Sequence, residues 1–373
     1  MPIRQALAMR ILYRRALSRL NHTLPRALLV ALTLFASPAV AGVHEPTPSA
    51  GCDAGGLGAG LHTFEFTHDG ILRTYDVYQP ESYDDSVAAP MMLNLHSLVT
   101  GGTAIGIFRL FSQQTARSES GGYIVVEPSG TGMNPDDPVS WNAGEACCNP
   151  PERDHVDDVG FVAEVIDRVF AQLCIDERKV YASGMSNGGY LSHRLACELP
   201  RRIAAIAPVS GSFSQELVCV DGRAMPVVQI SGELDNLASR QASVDRWLGT
   251  NECGDATTEE VDRDMTCTTH TDCRDGVEVM HCVVDDGNHC FFSNAEHVIL
   301  EECPLRDGPL AQDVIWDFVS DYALPVPEPS STMLAATALA ALSTMARRRR
   351  AASPHPAARG RPYPGSARTS TAT

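Results

Sequence analysis

The stretch Gly184-Met185-Ser186-Asn187-Gly188, set directly after the strand-like run Lys179-Val180-Tyr181-Ala182-Ser183, constrains the fold of this chain more than any other feature. A serine on a sharp strand-to-helix turn exposes its hydroxyl only if the residues two before and two after it carry no side chain. Gly184 and Gly188 meet that need. Beyond them Tyr190, Leu191, Arg194, Leu195 and Leu199 recur at three- and four-residue intervals until Pro200 ends the run. Strand, turn and helix together predict a nucleophile elbow at Ser186 rather than an ordinary glycine-rich turn.

A serine hydroxyl is a poor nucleophile at neutral pH, so an elbow needs a histidine base and an orienting carboxylate, in the chain order serine, acid, histidine. Met225-Pro226-Val227-Val228-Gln229-Ile230 reads as a buried parallel strand, and the loop Ser231-Gly232-Glu233-Leu234-Asp235-Asn236 leaves its carboxyl end. Asp235 is the expected orienting acid, with Glu233 in reserve. A further strand, Val277 to Val284, runs into Asp285-Asp286-Gly287-Asn288-His289, which makes His289 the expected general base. His281 lies inside that strand and His297 well beyond it, and both are weaker candidates by position.

An oxyanion hole combines the backbone N–H of the residue after the nucleophile with one from the loop after the third strand. Asn187 supplies the first. The run Pro90 to His96 followed by Ser97-Leu98-Val99-Thr100-Gly101-Gly102 offers Leu98 as the second, with Ser97 close behind. Trp141 lies in a loop rich in proline and asparagine, and is expected to line the cleft and touch substrate. Trp247 and Trp316 fall on apolar helical faces. Asp157 and Asp158 open an amphipathic helix (Val159, Phe161, Val162, Val165, Ile166, Val169, Phe170), where acids stabilise the N-terminal end.

These blocks together, in order and spacing, resemble the secreted polyhydroxybutyrate depolymerase and feruloyl esterase family of α/β-hydrolases over residues 52 to 323. They are Leu95-His96-Ser97, Ser140-Trp141-Asn142-Ala143-Gly144 with Cys147-Cys148, Val156-Asp157-Asp158-Val159-Gly160-Phe161, the elbow, Ser231 to Asp235, and Asp286-Gly287-Asn288-His289. The resemblance implies an α/β-hydrolase fold with a mostly parallel central sheet and helices on both faces, in one domain stapled by disulfides. This chain has His96-Ser97 where the family usually has His-Gly, and Gly287-Asn288-His289-Cys290-Phe291 where the family carries Trp-Pro after the histidine.

The ends of the chain address its destination. A basic start, a short apolar core from Pro25 to Ala36 and the small-x-small Ala39-Val40-Ala41 read as a signal peptide over residues 1–41, cut before Gly42, with Met9 an alternative initiator. A linker over 42–55 then leads into the catalytic domain, 56–325. Val326-Pro327-Glu328-Pro329, an apolar run from Met333 to Ala346 and Arg347-Arg348-Arg349-Arg350 resemble a PEP-CTERM sorting signal over 326–350. That resemblance implies an exosortase-like partner, transient membrane contact through 333–346, and an extracellular, surface or matrix location in a Gram-negative bacterium. Residues 351–373 read as a disordered tail.

The chain has 29 basic against 46 acidic residues. Without the leader (six basic, none acidic) and the tail from Val326 (seven basic, one acidic), 16 basic face 45 acidic residues, a net charge of −29. Such a field repels nucleic acid and anionic polymers. The pairs Asp136-Asp137 and Asp262 with Asp264 read as solvated surface before calcium ligands. All 12 cysteines follow the leader, a disulfide framework in an exported chain. Cys147 and Cys148, being adjacent, are each expected to find a distant partner. Cys197 is expected to pair with Cys219, and the cysteines from Cys253 to Cys290 to staple loops around His289.

These features predict a serine carboxylic-ester hydrolase that needs no cofactor and no metal. Its substrate would be a polyester, a feruloylated or acetylated saccharide, or a small ester. The alternative is a surface-sorted binding protein on a catalytically weak hydrolase scaffold.

Overall fold

The computed structural model describes residues 45–98, 104–132, 139–145, 147–148, 156–237, 239–262, 264–294, 303 and 310–326. The signal peptide, Asp136-Asp137, His297 and the expected sorting helix with its arginine cluster lie outside these residues. The described residues through Leu324 form one compact unit.

The strands are β1 (Gly60–His68), β2 (Ile71–Gln79), β3 (Ala89–Leu95), β4 (Ile124–Pro128), β5 (Ile175–Met185), β6 (Ala205–Val209), β7 (Val227–Gly232), β8 (Ala256–Asp262), β9 (Met265–His270) and β10 (Val279–Val284). The helices are α1 (Ala104–Ser112), α2 (Gln114–Gly121), α3 (Asp158–Phe170), α4 (Asn187–Glu198), α5 (Arg240–Asn251) and α6 (Ala311–Val319). All ten strands join one sheet in the order β1-β2-β4-β3-β5-β6-β7-β10-β9-β8. The block from β4 to β10 is parallel, and antiparallel pairs flank it on both sides.

The two-residue period of the strands separates two cores. Met91 and Leu93 of β3, with Val180 and Ala182 of β5, pack beneath Phe161 and Val165 of α3 and Leu191 and Leu195 of α4. Met92 and Tyr181, one residue out of step, join Phe108 of α1 and Ile315 and Phe318 of α6 on the opposite face. Helices therefore cover both faces, and this is an α/β-hydrolase fold. Asp157 caps α3 by accepting from the Gly160 N–H, and buried Asp158 pairs with Arg73 of β2 at 2.6 Å.

The six disulfides use every cysteine: Cys52–Cys174, Cys147–Cys148, Cys197–Cys219, Cys253–Cys273, Cys267–Cys282 and Cys290–Cys303. The Cys197–Cys219 pair is as expected from the sequence. Cys147 and Cys148 bond each other, which corrects the expectation of distant partners. Cys148 is left-handed (φ 65°), and the other ten cysteines are all taken. Between Cys253 and Cys290 the chain is more ordered than a set of stapled loops, because β8 and β9 form a hairpin that extends the sheet beyond β10. Cys267–Cys282 ties directly opposed residues of β9 and β10.

Candidate active site

Strand order reverses at β3, with β4 on one side and β5 on the other, so the carboxyl ends of β3 and β5 lie side by side at the switch point of the sheet. Ser186 sits one residue past β5 with φ 51° and ψ −120°, a conformation that costs a non-glycine residue energy. Its backbone N–H donates to Val209 O at 2.9 Å, and its side chain makes no capping bond to α4. A Cβ on Gly188 would lie 2.1 Å from Leu95 O, and one on Gly184 2.6 Å from the Gly188 carbonyl carbon. The two glycines thus let the elbow press onto the end of β3.

Asp235 and His289 meet. His289 Nδ1 lies 3.1 Å from Oδ1 and 3.0 Å from Oδ2 of Asp235. The carboxylate only accepts, so Nδ1 carries the proton and Nε2 keeps its lone pair. The Asp235 side chain is 1% exposed and the His289 ring 20%. Burial raises the Asp235 carboxyl pKa, but hydrogen bonds from His289, the Leu237 N–H and Ser210 outweigh it and hold the group below its ordinary value.

The acid and histidine turns are zipped together by main chain. Leu234 N–H donates to Gly287 O at 2.8 Å and Glu233 N–H to Val284 O at 2.9 Å, while a Cβ on Gly232 would lie 2.2 Å from Gly287 O. Glu233, the reserve acid, is exposed and accepts the Asp286 N–H, so it brackets the turn and leaves the histidine to Asp235. His281 sits inside β10, where burial, then Arg240 and His270, lower its pKa to about 4.

On the oxyanion side, His96 is buried and its Nε2 accepts the Gly130 N–H at 2.8 Å. Nδ1 therefore carries the proton and donates to Ser97 O at 2.7 Å. Among the described residues no peptide is cis, so the N–H of Leu98, on the other edge of that peptide plane, points away from the imidazole. Asn187 begins α4, whose first N–H groups lack partners within the helix. Its buried side chain accepts the Trp141 N–H at 2.6 Å and donates to Trp141 O at 3.2 Å.

Trp141 departs from the sequence reading. It is fully buried, its indole N–H donates to His96 O at 2.9 Å, and its ring lies 4.7 Å from that of His96. It is wedged between the end of β3 and the elbow helix, bracing both, and does not wall an open cleft. The loop composition suggested exposure, but Asn187 and Asp158, which accepts the Asn142 N–H, pin its main chain inside. Sequence reasoning also missed His96 and Ser210. The apolar run Ile203 to Val209 ending in Ser210-Gly211 was the available signal for Ser210, since it marks one more strand delivering a polar side chain to the same edge.

The parallel strands carry Ser186, Asp235 and His289 to one edge of the sheet, as the α/β-hydrolase class does. The fold is that class's, and comparison with known proteins finds the chain similar to feruloyl esterases. It is 25% identical over 270 residues to feruloyl esterase B of Piromyces equi, covering 66% of this chain and 44% of that protein. It is 27% identical to feruloyl esterase D of Neurospora crassa, covering 78% of this chain and 95% of the relative. Thus the chain spans under half of the first relative and nearly all of the second. Among solved structures it is similar to an acetyl xylan esterase from Aspergillus awamori (TM-score 0.46, 13% identity, 61% of this chain and 94% of that one). Residues 325–350 match the PEP-CTERM protein-sorting motif. That motif and the disulfide-rich body mark a secreted protein.

Proposed function

We propose that this protein is a secreted serine esterase in which Ser186 is the nucleophile, His289 the general base and Asp235 the acid that orients it. The observation carrying this reading is the bond between His289 Nδ1 and Asp235, delivered to the sheet edge where Ser186 is held in a strained turn. His289 Nε2 takes the hydroxyl proton as Ser186 Oγ bonds to the ester carbonyl carbon. The N–H groups of Asn187 and Leu98 receive the developing oxyanion. The C–O bond to the alcohol breaks, the alcohol leaves with the proton from His289, and water attacks the acyl-enzyme by the same relay to release the acid.

The substrate class that best fits is an ester-decorated polysaccharide, feruloylated or acetylated. The named relatives include feruloyl esterases and a bifunctional acetylxylan esterase/xylanase. The tail over 326–350 serves as the exosortase-type sorting signal of a catalytic domain spanning 56–325, with 333–346 touching the membrane in transit.

The test is hydrolysis of p-nitrophenyl acetate, methyl ferulate, acetylated xylan and hydroxybutyrate oligomers by the full chain beside Ser186→Ala. Turnover on the first three that vanishes in the variant is expected, a loss of about 10³-fold or more. Hydroxybutyrate oligomers as the sole good substrate would replace the saccharide reading. No turnover by the folded protein on any ester would leave the scaffold a binding protein.

A further inference from the structure

Ser210 lies one residue past β6, the strand between the nucleophile strand β5 and the acid strand β7. It is completely buried, and its backbone is left-handed, with φ 48°. Its N–H donates to Ile230 O of β7 at 2.9 Å. Its Oγ donates to the carbonyl of Cys290, the residue after His289, at 3.1 Å, and its hydroxyl is one of the groups that hold the Asp235 carboxyl below its ordinary pKa.

A hydroxyl has one proton, and both of these neighbours can only accept it. One acceptor belongs to the loop that carries His289 and the other is the carboxylate that holds the His289 ring. The other groups here do not join the two. The Leu237 N–H donates to Asp235 Oδ1, Glu233 is turned to the Asp286 N–H, and Arg240 donates to the carbonyls of Gly232 and Glu233. Ser210 is therefore the one side-chain hydroxyl seen to bridge the acid and the histidine loop among the described residues.

We propose that Ser210 is a positioning residue: it divides its proton between Asp235 and the Cys290 carbonyl and so fixes the orientation of the His289–Asp235 pair. This rests on the esterase reading for its consequence in turnover, but the pair itself can be observed without turnover. A carboxylate that loses a donor holds the shared His289 proton more tightly.

The test uses the full chain with ¹⁵N-histidine, the parent beside Ser210→Gly and Ser210→Ala, with His289 assigned by the signal lost in His289→Gln. Glycine takes φ 48° without strain, so Ser210→Gly removes the hydroxyl and spares the backbone. In both variants the His289 titration midpoint is expected to rise and its low-field Nδ1 proton to broaden by exchange. On p-nitrophenyl acetate, kcat is expected to fall about tenfold with KM within about twofold, and the acidic limb of the rate profile to move up with the midpoint. An unchanged midpoint and an unchanged Nδ1 proton in folded Ser210→Gly would overturn the proposal. A moved midpoint in a chain whose parent hydrolyses no ester would uphold the positioning role and refute the esterase reading.

Discussion

At the residue scale the molecule concentrates its close approaches where the candidate chemistry lies. Gly188 has no room for even one carbon, because a Cβ would meet the Leu95 carbonyl at 2.1 Å and main chain cannot yield as a flexible side chain would. Gly188→Ala is expected to lose about 2–3 kcal/mol in urea unfolding and most of any esterase activity, since relief must come from shifting either the elbow or the end of β3. The same residues were legible in the sequence because glycine at fixed distance from a serine has a steric meaning that needs no partner. Asp235 and His289 were legible for a related reason, as each follows an apolar run by a few residues. Trp141 and Ser210 were not. Whether an indole faces solvent or the underside of a loop depends on Asn187 and His96, which are remote in sequence.

At the scale of elements, α4 and α5 are held together by a buried polar contact that titrates. The Trp247 indole N–H donates to His193 Nδ1 at 3.0 Å, and burial lowers the His193 pKa to about 3, against a weaker upward pull from Gln229. A histidine whose folded pKa lies below its unfolded value binds its proton first in the unfolded chain, so the fold loses stability as pH drops below about 6.5. His193→Leu, less stable than the parent at pH 7 for want of the Trp247 contact, is expected to close that gap by about 3 kcal/mol by pH 4. Urea midpoints at both values measure it.

The helices after Ser186 and Asp157 and the strands β3, β5, β7 and β10 announced themselves by apolar runs, but β4, β6 and the β8–β9 hairpin did not. Its strands are rich in threonine, Thr257, Thr258, Thr266, Thr268 and Thr269, and lie at the sheet margin where little apolar surface is required. Its attachment leans on Cys267–Cys282, which closes a loop of 15 residues. Replacing both cysteines by serine is expected to cost about 3 kcal/mol in thermal or urea unfolding.

At the scale of the whole molecule, charge outweighs any single contact. With 46 acidic residues and Lys179 the only lysine in the chain, self-repulsion opposes the compact state and salt relieves it. Raising NaCl from about 0.01 M to about 0.5 M is expected to raise Tm, and to lift kcat/KM for carboxylate-bearing esters far more than for neutral ones. A Tm that falls or stays level over that range would show that ion pairs such as Arg109 with Asp76 and Glu127 dominate over the net field. The zipped acid and histidine turns have a further consequence. Asp235 and His289 lie 54 positions apart in the sequence, yet their turns are fastened to each other by main-chain bonds that use no side chain from the intervening excursion. The register of the Asp235–His289 contact is thus set at the roots of β7 and β10, however long the stretch between them.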